Sequence, residues 1–150
     1  MNKNRRWPTP QQGFPSRMVT EQSARAHFAN WERNNDDEFY SRVAPWATFT
    51  IAGVSIAFPR YSGSKSAFFE QVLSPLGNLF AGHITRRITN VIVANENCAI
   101  VEFTMVGFGR LTLEAYAIDC CWICTYVGEQ IGSVTIYWDS LTIDWMFRGQ

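Results

Sequence analysis

The sequence predicts an α+β domain in which three helices precede a long-stranded antiparallel meander. Three observations predict it. Apolar residues recur at helical spacing through the first half of the chain. From His83 onward, β-branched and aromatic residues take over in run after run. The separators between those runs, Asn95-Glu96-Asn97, Gly107-Phe108-Gly109 and Gly128-Glu129-Gln130, are short enough for hairpins.

Residues 1–19 hold three prolines, several Gln and Asn and a basic tilt, and read as a flexible tail ahead of a single domain at 20–150. Thr20 is placed to cap a helix from Glu21, in which Ala24, His27, Phe28 and Trp31 fall at i, i+3, i+4 and i+7. Asn35 and Glu38 resemble a capping box for a second helix, with Phe39, Tyr40 and Val43 on its apolar side and Pro45 ending it. Trp46 to Ile51 reads as a short strand, and residues 52–63, with Gly53, Pro59 and Gly63, as a loop. A third helix starts near Ser64 with Ala67, Phe68, Val72 and Leu73 on one face. Pro75 and Gly77 interrupt it before a short continuation through Leu79 and Phe80. The strands are expected at roughly 83–93, 98–107, 111–126 and 131–141.

Composition excludes several classes of function. The 150 residues are 47% hydrophobic and 17% charged, enough to bury a core without disulfides or a metal. Thirteen basic residues balance thirteen acidic ones, so the basic excess expected of a nucleic-acid binder is missing. No apolar run approaches the roughly 20 residues of a membrane span. The polar N-terminus shows no secretory signal, so a cytoplasmic protein is the expectation. Cys121 and Cys124 are spaced as C-x-x-C, but they sit in an unbroken β-like run whose period of two sends them to opposite faces. With Cys98 and Cys120 they read as reduced, packed residues, and neither a metal nor a cofactor is expected. Aromatic residues at 15%, six of them Trp, either fill the core or wall a pocket for a bulky apolar ligand.

The order of elements resembles the nuclear-transport-factor-two-like superfamily, and within it the SnoaL-like polyketide cyclase group. Ketosteroid isomerase and scytalone dehydratase are more distant relatives. The resemblance runs over about 20–147 and rests on HFANWERNNDDEFYSRVAPWATFTIAG, YSGSKSAFF, NENCAIVEF and above all CCWICTYVGEQIGSVTIYWDS. It implies a cone in which the helices and a curved, mainly antiparallel sheet enclose a pocket.

Strand alternation names the side chains that would face such a pocket. They are Val101, Phe103 and Met105 with Ala99 on one strand, Tyr116, Ile118, Cys120, Trp122 and Cys124 on the next, and Val134, Ile136 and Trp138 on the last. Phe28 and Trp31 join them from the first helix, and Phe49 and Ile51 from the first strand. Where the relatives place catalytic groups, the resemblance puts Ile51 at the general-base aspartate, Phe28 at the helix tyrosine, and apolar residues near Trp122, Ile118 and Ile136. That disfavours the ketosteroid mechanism. His83 resembles in position the strand histidine of scytalone dehydratase, and an imidazole moves protons without a metal; the plainer alternative is a rim histidine satisfied by a hydrogen bond. Tyr116 is the candidate donor to a substrate oxygen. His27, on the apolar stripe of the first helix, reads as a packed core residue, and Arg60, Tyr61 and Lys65 as a solvated rim.

Two functions follow as expectations. One is a small cofactor-free enzyme that cyclises, isomerises or dehydrates a bulky apolar oxygenated metabolite by general acid/base catalysis, with His83 and Tyr116 as its catalytic residues. The other is a non-catalytic binding or dimerisation module that kept the cone and lost the acids. In either case a homodimer is expected through the outer sheet face, which carries Ile100, Thr104, Ile123 and Tyr137.

Overall fold

The computed structural model describes residues 18–53 and 55–148. Most of the expected tail lies outside that range. Its last residue, Val19, is buried and donates its N–H to the Glu96 carbonyl at 2.9 Å.

Helix α1 (Glu21–Glu32) begins at a reciprocal cap, in which the Thr20 hydroxyl accepts the Ser23 N–H at 3.0 Å and the Thr20 N–H donates to the Ser23 hydroxyl at 2.9 Å. Its buried stripe is the expected one, Ala24, His27, Phe28 and Trp31. Helix α2 (Asp36–Ser41) follows, but the Asn35 side chain makes no capping bond; Asp36, Asp37 and Glu38 in the first turn meet the positive end of the helix instead.

Strand β1 (Val43–Ile51) starts earlier than expected and contains Pro45. A register shift against its neighbour between Val43 and Thr48 leaves Pro45 and Trp46 exposed, so the missing N–H costs no ladder bond. The loop after it ends in β2 (Ser62–Ser64), a short hairpin partner of β1. The third helical stretch is continuous to residue 78 as α3 (Lys65–Phe68), a π-helical turn (Phe69–Leu73) and α4 (Ser74–Asn78). Pro75 does not interrupt it, because the wider turn ahead of it and its place in the first turn of α4 leave no carbonyl waiting for its N–H.

Four long strands follow: β3 (Phe80–Asn95), β4 (Cys98–Gly109), β5 (Ala115–Val127) and β6 (Gln130–Trp138). The sheet order is β2-β1-β6-β5-β4-β3. Every neighbouring pair is antiparallel except β1 with β6, so the sheet is mixed. The sheet does not close on itself. The larger departures from the expected strand limits are three, the first being β3, which starts at Phe80, a residue read as the end of the third helical stretch. Residues 110–113 form a turn, with Leu113 at a φ of 57°, before β5 begins. After Trp138 the chain enters a helix, α5 (Ser140–Arg148), capped by Asp139, whose carboxylate accepts the Thr142 N–H at 3.2 Å. The expected three-helix count is therefore short by the division of the third stretch and by α5.

Alternation along β4, β5 and β6 is as read from the sequence. Ala99, Val101, Phe103 and Met105, then Ile118, Cys120, Trp122 and Cys124, then Val134 and Ile136 are all buried. Strand β3 departs from it. Ile84 and Ile88 pack partly against the core, and a bulge between Ile88 and Asn90 switches the parity beyond it, so that Val91 is buried and Ile92 is 45% exposed. The N–H of Ile88 at that bulge is satisfied by the Glu32 carboxylate at 2.7 Å, which ties the end of α1 to the strand.

The core is built around Trp122. Trp31 meets it edge-on at 4.6 Å between centroids, Phe49 at 5.9 Å and Phe103 at 6.0 Å. Phe49 stacks on Phe68 at 4.2 Å, and Trp31 on Phe39 at 4.1 Å. Such pairs each contribute about 0.5–1.5 kcal/mol beyond the area they bury.

Candidate functional site

The aromatics do not fill the whole space between helices and sheet. A cleft of about 530 Å³ remains, inside the roughly 300–1,000 Å³ range usual for small-molecule sites. It is partly open to solvent rather than enclosed. Its floor is Phe103 and Met105 of β4, Cys120 and Trp122 of β5, and Ile136 and Trp138 of β6. The helical wall is Trp31, Tyr40, Phe68, Phe69 and Leu73. At the mouth stand Asp36 and Asp37, Ser74, and the start of β3 with His83, Ile84 and Arg86. Gly82, at a φ of 78°, lets β3 bend near its start, where its register against β4 shifts.

Of the residues expected around a pocket, the structure brings Trp31, His83, Phe103, Met105, Cys120, Trp122, Ile136 and Trp138 together on this cleft. Phe28, Phe49, Ile51, Val101 and Ile118 face inward as expected but lie behind the lining as buried core. Tyr116 stands apart. It sits at the start of β5, lines a separate cavity of about 120 Å³, and donates its hydroxyl to Thr112 at 3.1 Å. Gly109 makes room for its ring, since a Cβ there would lie 2.7 Å from the Tyr116 Cε2 atom. Correct parity put Tyr116 on the inner face, but its position along the strand carries it away from the cleft.

Sequence reasoning missed Tyr40. Its ring packs edge-on against Phe69 at 4.6 Å and the residue is 8% exposed. Its hydroxyl makes no hydrogen bond to any described residue. The indole nitrogens of Trp31 and Trp138 are buried without a partner. Burial pushes the phenol well above its usual pKa, so it stays protonated and is a donor. The only signal in the sequence was a tyrosine where the apolar side of α2 otherwise carries Phe39.

Beside it, Arg86 forms a forked pair with Asp36, at 2.7 and 2.9 Å, between β3 and α2. The guanidinium lies over the Trp31 ring, with Cζ 5.2 Å from the centroid. Cys120 also lines the cleft, but burial drives its thiol far up from the usual range and leaves it an uncharged S–H.

Other candidates resolve into structural parts. His27 is 2% exposed; its Nε2 lies 2.9 Å from the Phe39 carbonyl and so carries the proton, leaving Nδ1 to accept from the Tyr126 hydroxyl at 3.2 Å. Burial lowers its pKa. Lys65 donates to the Tyr40 and Val43 carbonyls at 2.8 and 2.9 Å, tying α3 to the end of α2 rather than meeting a ligand. Tyr61 does not line the cleft. Cys124 is buried inward and Cys121 is half-buried on the other face, and all four cysteines are free. Among the described residues no cluster of three His, Cys, Asp or Glu side chains is placed to hold a metal ion. No helix among them is long and apolar enough to cross a membrane.

Comparison with solved structures agrees with this architecture. An NTF2-like protein from Burkholderia thailandensis superposes with a TM-score of 0.69, covering 85% of this chain and 95% of its own at 16% identity. The chain has the NTF2-like fold. A protein with a ketosteroid isomerase-like fold from Catenulispora acidiphila, in complex with trimethylamine, gives a TM-score of 0.61 over 83% of this chain and 91% of its own, at 16% identity. TerC, co-crystallised with polyporic acid, gives 0.65 over 85% and 96%, at 12% identity. No protein-family model and no curated protein matches the sequence. At these identities the NTF2-like fold is what the neighbours share with this chain, and the chemistry has to come from its own side chains.

Proposed function

We propose that the cleft binds a bulky, largely aromatic, oxygenated metabolite and moves a proton on it, in a cyclisation, isomerisation or dehydration. The observation that carries this reading is the Tyr40 hydroxyl, a protonated donor without a partner among the described residues, on an otherwise aromatic wall. It would hold a carbonyl or hydroxyl oxygen of the ligand and favour charge developing there. His83, exposed at the mouth of the same cleft, would give or take the proton and exchange it with solvent. Trp31, Phe68, Trp122 and Trp138 would hold the ligand flat and exclude water. TerC, co-crystallised with polyporic acid, supports a ligand of this kind for the fold. Tyr116 has no part in this reading.

A second reading, a binding module without turnover, is favoured by one observation. Ile51, Ile118 and Ile136, at the positions where relatives keep acids, are 2%, 0% and 0% exposed and put no carboxylate on that side of the cleft.

Native mass spectrometry of the purified protein, then a thermal-shift screen of polycyclic ketones and terpenoid epoxides, separates the two. The first reading expects a bound compound that is converted, with turnover lost in both His83→Ala and Tyr40→Phe. A compound held equally by wild type and both variants, and never changed, establishes the second. Absence of any binder removes both.

A further inference from the structure

We infer that Arg86 makes the cleft selective for ligands carrying an anionic oxygen, a carboxylate above all, with Asp36 as the resident competitor for its guanidinium. The inference rests on the cleft being a ligand site, as proposed above, and adds the charge of what it takes.

Arg86 is the only Lys or Arg among the described residues lining the cleft. Its side chain is 16% exposed and that of Asp36 is 46% exposed, so the cation of the pair sits toward the protein and the anion toward solvent. Coulombic attraction is stronger on the inner, less polarisable side and screened on the outer one. An arginine has five N–H donors, and the two bonds to Asp36 use one on each terminal nitrogen. No other hydrogen bond from Arg86 to a described residue occupies the remaining three. The Trp31 face beneath the guanidinium fixes its position, so little conformational freedom is lost when an oxygen arrives. Tyr40 lies near enough for the charges of both Arg86 and Asp36 to act on its phenol. A carboxylate entering from the aromatic side would meet the Tyr40 hydroxyl and the free N–H groups of Arg86 together.

The competing explanation is that the ion pair only ties α2 to β3. A tie of that kind affects stability and is indifferent to the charge of a ligand.

The test uses two probes of the same shape, 2-naphthoate and 2-naphthamide, with the full chain and quenching of tryptophan fluorescence as the readout. Wild type is expected to bind the naphthoate at least tenfold more tightly than the amide. Arg86→Met is expected to lose that preference, and Asp36→Asn, which removes the competing charge with little change of shape, to widen it threefold or more. Equal binding of the two probes, or a preference that survives in Arg86→Met, overturns the inference and leaves the cleft as a ligand site. If Arg86→Met does not fold, Asp36→Asn decides, and an unchanged or reduced preference there overturns it. Binding of neither probe to wild type overturns both the inference and the reading beneath it.

Discussion

Asp144→Asn is a small change with a calculable cost. Asp144, on α5 and 9% exposed, accepts the Ser55 hydroxyl at 2.9 Å and the Ala57 N–H at 3.0 Å on Oδ1, and the Ile56 N–H at 3.0 Å on Oδ2. These three bonds hold the loop that delivers Phe58 to within 5.6 Å of the cleft residue Trp138. An asparagine keeps Oδ1 but sets its NH₂ against the Ile56 N–H, donor against donor. One charge-assisted bond is lost, at about 1.5–3 kcal/mol, and the other two weaken toward the neutral kind. The sum is about 3 kcal/mol, which for a chain of this size lowers Tm by roughly 6–12 °C. The cost also depends on pH. Burial by itself raises the Asp144 pKa, but the Ile56 and Ala57 N–H groups, the Ser55 hydroxyl and the Arg148 charge outweigh it, and the net shift is downward. A carboxylate with a lowered folded pKa stabilises fully above its unfolded value of about 3.9, and that contribution disappears as pH falls through the folded value. The gap between wild type and Asp144→Asn is therefore widest near neutrality and closes in acid. Thermal melts followed by circular dichroism measure both effects. A shift under about 2 °C at pH 7, or a gap that grows in acid, would refute the reasoning.

Two further predictions concern the rest of the molecule. Because burial lowers the His27 pKa, the unfolded chain takes up a proton that the folded chain refuses, so stability drops as pH falls below about 6.5. Melts of His27→Gln between pH 7 and 5 should show a flatter pH dependence than wild type, and an equally steep one contradicts the assignment. On the outer sheet face, Ile92, Ile100 and Ile123 lie in register across three strands, and Tyr137 nearby is 48% exposed. We expect a second copy to cover them, giving a dimer by light scattering at micromolar concentration that Ile123→Glu splits; a wild-type monomer refutes this.

What was legible in the sequence followed from local periodicity. The stripe Ala24, His27, Phe28, Trp31 and the alternation along β4 to β6 are each set by burial on one face, which a single segment reports by itself. Helix α5 was hidden by the same logic, because Leu141, Ile143, Trp145 and Phe147 alternate as a strand would, while the helix buries Ile143, Asp144 and Met146. Asp144 reads as a polar interruption until the loop it binds is in place. The bulge after Ile88 is invisible locally, since it depends on Glu32 reaching across from α1. For the candidate site, the aromatic floor and His83 were legible from parity and resemblance. The placing of the Tyr40 hydroxyl, without a partner among the described residues, and of Arg86 over Trp31 are relations between distant segments, and no run of sequence encodes them.

The parallel pairing of β1 with β6 also bears on how the chain is made. Phe49 and Ile51 find their partners, Val134 and Ile136, far along the sequence. During synthesis β1 leaves the ribosome long before β6 exists, and the other strands can zip as successive hairpins without it. Closing β1 onto β6 is thus a late, non-local event of the kind that slows folding. Until then β1 presents an apolar edge to every other nascent chain nearby. Pro45 and the irregular register around it blunt the first half of that edge. The second half, from Thr48 to Ile51, stays open on that side until β6 arrives, because the short β2 covers only the opposite edge of β1.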